Sequence, residues 1–212
     1  MRADPRLDRR APQQRGDQRR SALLEALDEA LHDQSLESIN IADISRRAGV
    51  SRSAFYFYFE NKAYAVAALM AEMYDEAFAA TNVLVSQEGT ARWRIEQSIT
   101  GLFDALERHV HVYRAMLEAR GTNQSVRELW DSDRESFVGP VAGMIRAERA
   151  AGNAPDGVDA TALAAVLLEV NDRALERLAV GSRIPRKKHI AALVQVWLGS
   201  IYGTPPTEGE RA

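Results

Sequence analysis

Residues 41–62 read IADISRRAGVSRSAFYFYFENK, and this stretch decides the fold of the first part of the chain. It contains five consecutive aromatic residues, from Phe55 to Phe59, a composition that is typical of β-strands. The segments on both sides have helical patterns, however, and they offer this run no partner strand. We therefore interpret it as a short helix, with a strand as the alternative.

Two short helices joined by a turn are predicted within this stretch. Asn40 is a good N-cap for the first helix, and Ser51 is a good N-cap for the second. Gly49 suits the left-handed residue that ends the first helix. The apolar residues expected to pack the two helices together are Ile44, Ala48, Val50 and Phe55. This spacing matches a helix-turn-helix, whose second helix enters the major groove of DNA.

The helical interpretation also assigns different roles to the rings of the aromatic run. Phe55 and Phe59 are one turn apart and share the inward face, so the three rings between them point elsewhere. A tyrosine hydroxyl can donate to a phosphate oxygen, and a flat ring can rest on a sugar or a thymine methyl. Lys62 falls in the first turn of the next helix, where its ammonium and the backbone N–H groups would face an anion.

The rest of the chain is predicted to be helical, because apolar residues recur at helical spacing between turn residues. A helical pattern starts at Asp17, ahead of the helix-turn-helix. Later helices are expected at about 62–86, 91–107, 124–151, 159–180 and 186–202. Pro140 should kink the helix at 124–151, because proline removes a backbone hydrogen bond.

The stretch at 41–62 closely resembles the DNA-binding region of TetR-family transcriptional regulators. In that family the recognition helix ends in a Tyr-x-Tyr-Phe pattern before a lysine, and Tyr56, Tyr58, Phe59 and Lys62 stand in that register. Four further segments resemble the EthR subgroup of the family: ELW at 128–130, AERAAGNAP at 147–155, NDRAL at 171–175 and VWLGSIYG at 196–203.

An all-α fold in two domains is what the resemblance implies. A three-helix helix-turn-helix domain would span residues 17–62, and a helical effector-binding and dimerisation domain would span 63–204. A flexible basic arm at 1–16 and a tail at 205–212 would flank them. The implied protein is a homodimer built on its last two helices, and it would be a repressor. A small apolar or amphipathic effector would release it from pseudo-palindromic double-stranded operator DNA.

We expect the DNA contacts to come from the recognition helix and the residues around it. Arg52, Ser53 and Phe57 are assigned to base edges. Phosphate contacts are assigned to Ser51, Tyr56, Tyr58 and Lys62, and Asn40 completes the set of DNA contacts. Residues 1–20 carry seven arginines against three aspartates. This basic end is either a solvated tail or an arm that adds salt-sensitive affinity for DNA.

Six residues of the second domain are predicted to line the effector site: Trp93, Phe103, Trp130, Phe137, Asn171 and Trp197. Each aromatic ring is either plain core or cavity wall. Asn171 interrupts an otherwise apolar helical stripe, and a buried amide needs a partner. It is either bonded to a neighbouring helix or a polar anchor for a ligand in an apolar cavity.

Composition argues against other classes of protein. The chain has no cysteine, which excludes disulfides and thiolate chemistry and fits a cytoplasmic setting. His109 and His111 are two residues apart, so on a helix they face away from each other and cannot chelate one metal. No phosphate loop, nucleophile elbow or membrane-length apolar run is present. We therefore expect no enzyme activity, metal, cofactor or membrane association. A DNA-packaging protein that binds no ligand is the remaining alternative, but it would leave the large helical body unexplained.

Overall fold

The computed structural model describes residues 7–86 and 88–203. These residues form ten helices and no strand. In chain order they are α1 (Leu7–Leu31), α2 (Ile41–Arg47), α3 (Arg52–Tyr58), α4 (Lys62–Val85), α5 (Ala91–Arg108), α6 (Val110–Thr122), α7 (Gln124–Glu135), α8 (Val138–Ala150), α9 (Ala160–Ala179) and α10 (Arg186–Tyr202). The predicted all-α class is confirmed, and none of these helices is long and apolar enough to cross a membrane.

The chain divides into two compact units. The first combines the described residues up to Ala71 with His111–Glu128. The second combines Glu72–Val110 with the described residues from Leu129 onward. Residues of α4 therefore contribute to both units, and most of α6 belongs with the N-terminal helices. This division differs from the predicted boundary between residues 62 and 63.

The first unit is held together by an apolar core and by polar contacts from α6. Leu27 of α1, Ile44 of α2 and Phe55 of α3 are all buried. In α6, His111 Nε2 lies 2.8 Å from Asp28 Oδ1, and the Glu118 carboxylate accepts hydrogen bonds from the α1–α2 loop. These contacts join residues far apart in the chain, so local periodicity could not assign α6 to this unit.

The helix α1 begins ten residues earlier than predicted, at Leu7 instead of Asp17. Its first part is polar and arginine-rich and has no apolar stripe, so the sequence pattern gave no helical signal there. The predicted arm at 1–16 is thus partly helical. Residues 1–6 of that arm, and the predicted tail at 205–212, lie outside the described residues.

The second unit contains α5, α8, α9 and α10, with α5 packed on α10 and α8 packed on α9. A buried ion pair joins Arg94 of α5 to Glu148 of α8, with 2.6 Å between Nη2 and Oε1. The single helix predicted at 124–151 is two helices in the structure. The helical conformation is interrupted between Glu135, the last residue of α7, and Val138, the first residue of α8. Pro140 lies in the first turn of α8, where a missing N–H costs no helical hydrogen bond.

Candidate nucleic-acid interface and effector site

The helix α3 is positioned by its turn and its cap, as the sequence predicts. Gly49 has a φ of 66°, the left-handed conformation that ends α2. Val50 N then donates to Ser45 O at 2.9 Å, which closes the turn. Ser51 Oγ accepts a hydrogen bond of 3.2 Å from Ala54 N and so caps the N-terminus of α3. These local bonds fix where the second helix of the motif begins.

The aromatic run is helical from Phe55 to Tyr58, and Phe59 follows as the C-cap, so the strand alternative is wrong. Phe55 is 0% exposed, Phe59 is also buried, and their ring centroids lie 5.6 Å apart on the inward face. Phe57 is 81% exposed, and Tyr56 is half exposed. The predicted division between inward and outward rings is therefore confirmed.

The outward face of α3 brings together the side chains that were assigned to DNA. Arg52 and Ser53 are exposed in the first turn, and the Arg52 guanidinium lies 5.9 Å from the centroid of the Tyr56 ring. Ser53 Oγ is 2.9 Å from Ser51 Oγ. Tyr58 is partly buried, and its ring meets that of Phe57 edge-on at 5.0 Å. A helix surface that carries a guanidinium, hydroxyls and exposed rings suits a DNA groove.

Asn40 is exposed at the start of α2 and acts as its N-cap. Its side-chain oxygen accepts a hydrogen bond of 2.9 Å from Ala42 N. The cap predicted from the sequence is therefore confirmed. Because the oxygen is occupied, the amide nitrogen is the group of Asn40 that can donate to a phosphate.

Lys62 differs from its expected arrangement. Its ammonium donates to three backbone oxygens, at 2.6 Å to Leu36, 3.0 Å to Glu37 and 2.7 Å to Ile39. An ammonium has three N–H donors, so this arrangement uses them all. The charge is thus turned toward the loop between α1 and α2, where the sequence analysis had expected it to face an anion.

Glu118 is a positioning residue that no pattern in the sequence predicts. Its carboxylate accepts from Leu36 N at 3.2 Å and from Glu37 N at 2.6 Å, on the same loop that Lys62 holds by its carbonyls. Lys62 and Glu118 thus fix the loop that leads into Asn40 and α2. No local sequence signal connects Glu118 in α6 with this loop.

Five of the six residues predicted for the effector site lie in the interior of the second unit. Phe103, Trp130, Phe137, Asn171 and Trp197 are all buried. Trp93 is 47% exposed in the first turn of α5, so it does not line the interior of this unit. Its backbone N–H is bonded to the capping Thr90 Oγ1 at 3.2 Å, which holds Trp93 at the end of the helix.

The side chains of Asn171 and Trp197 are bonded to each other. Trp197 Nε1 donates to Asn171 Oδ1 at 3.0 Å, which joins α9 to α10 in a buried setting. Of the two alternatives for Asn171, the structure shows the one in which the amide is bonded to a neighbouring helix. The Asn171 amide is thus a buried polar group beside the Trp197 ring.

A charged group lies against the buried Trp130 ring. Arg134 forms an ion pair with Asp172, and its guanidinium carbon lies 4.7 Å from the centroid of the Trp130 ring. The Phe137 ring stacks on that of Phe78 at 4.2 Å. The interior of the second unit therefore contains aromatic surface with polar groups at separate points, a combination found in small-molecule sites.

The buried ion pair between Arg94 and Glu148 extends to the end of the last helix. Burial and the nearby negative charge of Glu148 together raise the pKa of Tyr202 to about 12, against the opposing effect of Arg94. Arg94 Nη1 also donates to Ser86 O at 2.7 Å. This cluster connects α5, α8 and α10 and has the character of a structural network.

Comparison with known proteins gives one consistent family. Residues 23–69 match the family described as bacterial regulatory proteins, tetR family, and residues 95–203 match the C-terminal domain of transcriptional regulator EthR. The HTH-type transcriptional regulator EthR of Mycobacterium tuberculosis strain H37Rv is 32% identical over 201 residues, covering 92% of each chain. EthR of Mycolicibacterium smegmatis is 30% identical and covers 93% of each chain.

Solved structures show the same fold at low sequence identity. NalD, the secondary repressor of the MexAB-OprM multidrug efflux pump in Pseudomonas aeruginosa, has a TM-score of 0.68 and 14% identity, covering 88% of this chain and 98% of NalD. A TetR/AcrR-family regulator from Thermobifida fusca has a TM-score of 0.66 and 17% identity, covering 92% and 99%. The helix-turn-helix geometry, the two family matches and the EthR relatives all agree. The chain therefore belongs to the TetR family of bacterial transcriptional regulators and resembles its EthR members.

Proposed function

We propose that two copies of this chain bind a pseudo-palindromic operator through α3 and leave it when a small apolar or amphipathic effector occupies the second unit. Proteins of this family regulate transcription, bind DNA as dimers and are not enzymes. The observation that carries the proposal is the outward face of α3, where Phe57 is exposed beside Arg52 and Ser53.

The assignment of DNA contacts follows from the exposed groups on this face. Arg52, Ser53 and Phe57 contact base edges, because they project from the first two turns of an exposed helix. Ser51, Tyr56, Tyr58 and the amide nitrogen of Asn40 supply donors for phosphates. Two such helices in a dimer would lie about 34–36 Å apart, one turn of the duplex. The arginines near the N-terminus add salt-dependent affinity.

For Lys62 we propose a positioning role in place of a phosphate contact. Its three hydrogen bonds to backbone oxygens hold the loop that precedes Asn40 and α2. Through that loop, Lys62 fixes the first helix of the motif. Its effect on DNA binding is then indirect, through the placement of α2 and α3.

The dimer interface is proposed on α9 and α10, which pack against each other in the second unit. Val166 and Val170 are exposed one turn apart on α9, and Val196 is exposed on α10. Exposed valines on neighbouring helices fit a four-helix interface between two subunits.

The effector is proposed to bind among the buried rings of the second unit, next to the bond between Asn171 and Trp197. A ligand with an apolar body and one polar group would fit this lining. Because α4 contributes residues to both units, it is the element we assign to coupling. A ligand that prefers the conformation with weaker DNA binding lowers the affinity of the protein for DNA. The reduction is set by the difference between the ligand's affinities for the two conformations, about 1–3 kcal/mol or 5–150-fold.

The experiment is a mobility-shift titration of the purified protein with the DNA upstream of its own gene, at moderate salt and in excess competitor DNA. We expect a saturable specific complex that apolar ligands dissociate. The variant Arg52→Ala with Phe57→Ala should lose this complex, whereas the exposed Arg146→Ala in α8 should keep it. If wild type and the double variant form the same complex, the proposal is contradicted.

A further inference from the structure

Three side chains of the first unit come together at the junction of α1 and α6. Asp28 lies in the last turn of α1, His32 follows directly after that helix, and His111 lies in the first turn of α6. Their potential ligand atoms all lie within 4.8 Å of one another. Helical spacing excludes a shared metal for His109 and His111, and it gives no sign that His32 is the partner of His111.

Both imidazoles present the same nitrogen to one carboxylate. His111 Nε2 lies 2.8 Å from Asp28 Oδ1, and His32 Nε2 lies 4.0 Å from Asp28 Oδ2. The two rings stack with centroids 3.7 Å apart and an angle of 24° between their planes. An ordinary ion pair explains the contact between His111 and Asp28. The i, i+4 spacing of Asp28 and His32 brings a second imidazole toward the other oxygen of the same carboxylate, so two ring nitrogens flank one carboxylate.

From this geometry we propose that Asp28, His32 and His111 bind one divalent late first-row transition-metal ion, for which Zn²⁺ is the probe. Two imidazole nitrogens and one carboxylate oxygen are a donor set typical of such ions, whereas Mg²⁺ and Ca²⁺ prefer oxygen ligands. Zinc bonds of about 2.0–2.2 Å at tetrahedral angles place the ligand atoms about 3.3 Å apart. The two distances from His to Asp28 lie on either side of that value.

The three residues also differ in accessibility in a way that suits ion entry. The His32 side chain is 58% exposed, and that of His111 is 11% exposed. His32 lies beyond the end of α1, so its ring can turn from the stack toward an ion without disturbing the helix. Three protein ligands leave a fourth position of a tetrahedral ion for water.

The bound ion would fix the first turn of α6 to the C-terminal end of α1. Both elements belong to the first unit, which also contains α3. An ion that binds only the folded protein stabilises it by an amount that grows with the logarithm of the ratio of ion concentration to Kd. The proposal is independent of the effector assigned to the second unit, so either can fail without the other.

The experiment is calorimetric titration of the full chain, freed of metal by a chelator, with Zn²⁺, followed by thermal unfolding with and without the ion. We expect one ion per chain and a rise in Tm of about 5–10 °C at a hundredfold excess over Kd. His32→Ala and Asp28→Asn should each weaken binding by about 100-fold or more. His109→Ala, which removes a histidine of the second unit, is the matched control and should bind as wild type does.

Two further measurements keep the result unambiguous. Co²⁺ should give visible absorption of the tetrahedral type in wild type and in His109→Ala, and this absorption should be absent in His32→Ala. Mg²⁺ at the same concentrations should leave Tm unchanged. The proposal is overturned if wild type shows no saturable Zn²⁺ binding, or if His32→Ala binds Zn²⁺ as tightly as His109→Ala does.

Discussion

Phe55 and Phe57 stand two residues apart on α3 and lie on opposite faces of it. Phe55 is 0% exposed, and Phe57 is 81% exposed. Because an α-helix turns by about 100° per residue, two residues are related by about 200°. The aromatic block therefore contains one ring that stabilises the unit and another that is presented outward.

Substitutions of these two rings should differ strongly in their effect on the free energy of unfolding. Phe55→Ala removes a fully buried ring and should lower the free energy of unfolding by about 3–5 kcal/mol. Phe57→Ala removes an exposed ring and should change it by no more than about 0.5 kcal/mol. Urea unfolding of the two variants, followed by circular dichroism, measures both. Equal losses in the two variants would mean that α3 does not have this orientation.

Lys62 gives a prediction that separates positioning from phosphate binding. Lys62→Met removes the three hydrogen bonds to the carbonyls of Leu36, Glu37 and Ile39. We expect it to lower the free energy of unfolding by about 1.5–3 kcal/mol, because hydrogen bonds from a charged donor are lost. The dependence of operator affinity on salt should keep its wild-type slope. A slope reduced by about one for each contact, with unchanged stability, would instead establish a phosphate contact.

The features of the first unit that could be predicted from sequence are local. The caps at Asn40 and Ser51, the left-handed Gly49 and the inward pair Phe55 and Phe59 all depend on residues within four positions of one another. Local rules of capping and helical periodicity describe such groups well. This is why the helix-turn-helix and its outward face could be predicted in detail.

The features that could not be predicted depend on contacts between distant segments. Lys62 and Glu118 bond to the α1–α2 loop, and His32 stacks on His111, so each of these contacts joins segments that are distant in the chain. No periodicity within one helix encodes such a pair. The exposure of Trp93 was missed for a related reason, because an aromatic residue at a helix end can face either core or solvent.

The bond between Trp197 and Asn171 predicts non-additive mutational effects. Trp197→Phe removes the donor and leaves the buried Asn171 oxygen without it, so stability should fall by about 1–3 kcal/mol. The double variant Trp197→Phe with Asn171→Leu removes both partners and should recover part of that loss. Urea unfolding of the two single variants and the double variant forms the required cycle. Strictly additive losses would show that the bond does not contribute.

The raised pKa of Tyr202 predicts a loss of stability in alkali. Its pKa is raised from 10 to about 12, first by burial and then by the charge of Glu148. Between these values the folded protein keeps the proton that the unfolded chain releases. The free energy of unfolding should therefore fall as pH rises from 10 through 12. Unfolding measured across this range should show a shallower decline in Tyr202→Phe, and identical declines would contradict the assignment.

The central claim is that the outward face of α3 distinguishes the operator from other DNA. The most direct measurement is the affinity of wild type and of Arg52→Ala with Phe57→Ala for an operator duplex and a scrambled duplex of equal length, both at the same salt concentration. We predict that the double variant loses specificity for the operator by about 10–100-fold, while its affinity for the scrambled duplex stays close to that of wild type. An unchanged ratio of the two affinities in the double variant would contradict the account.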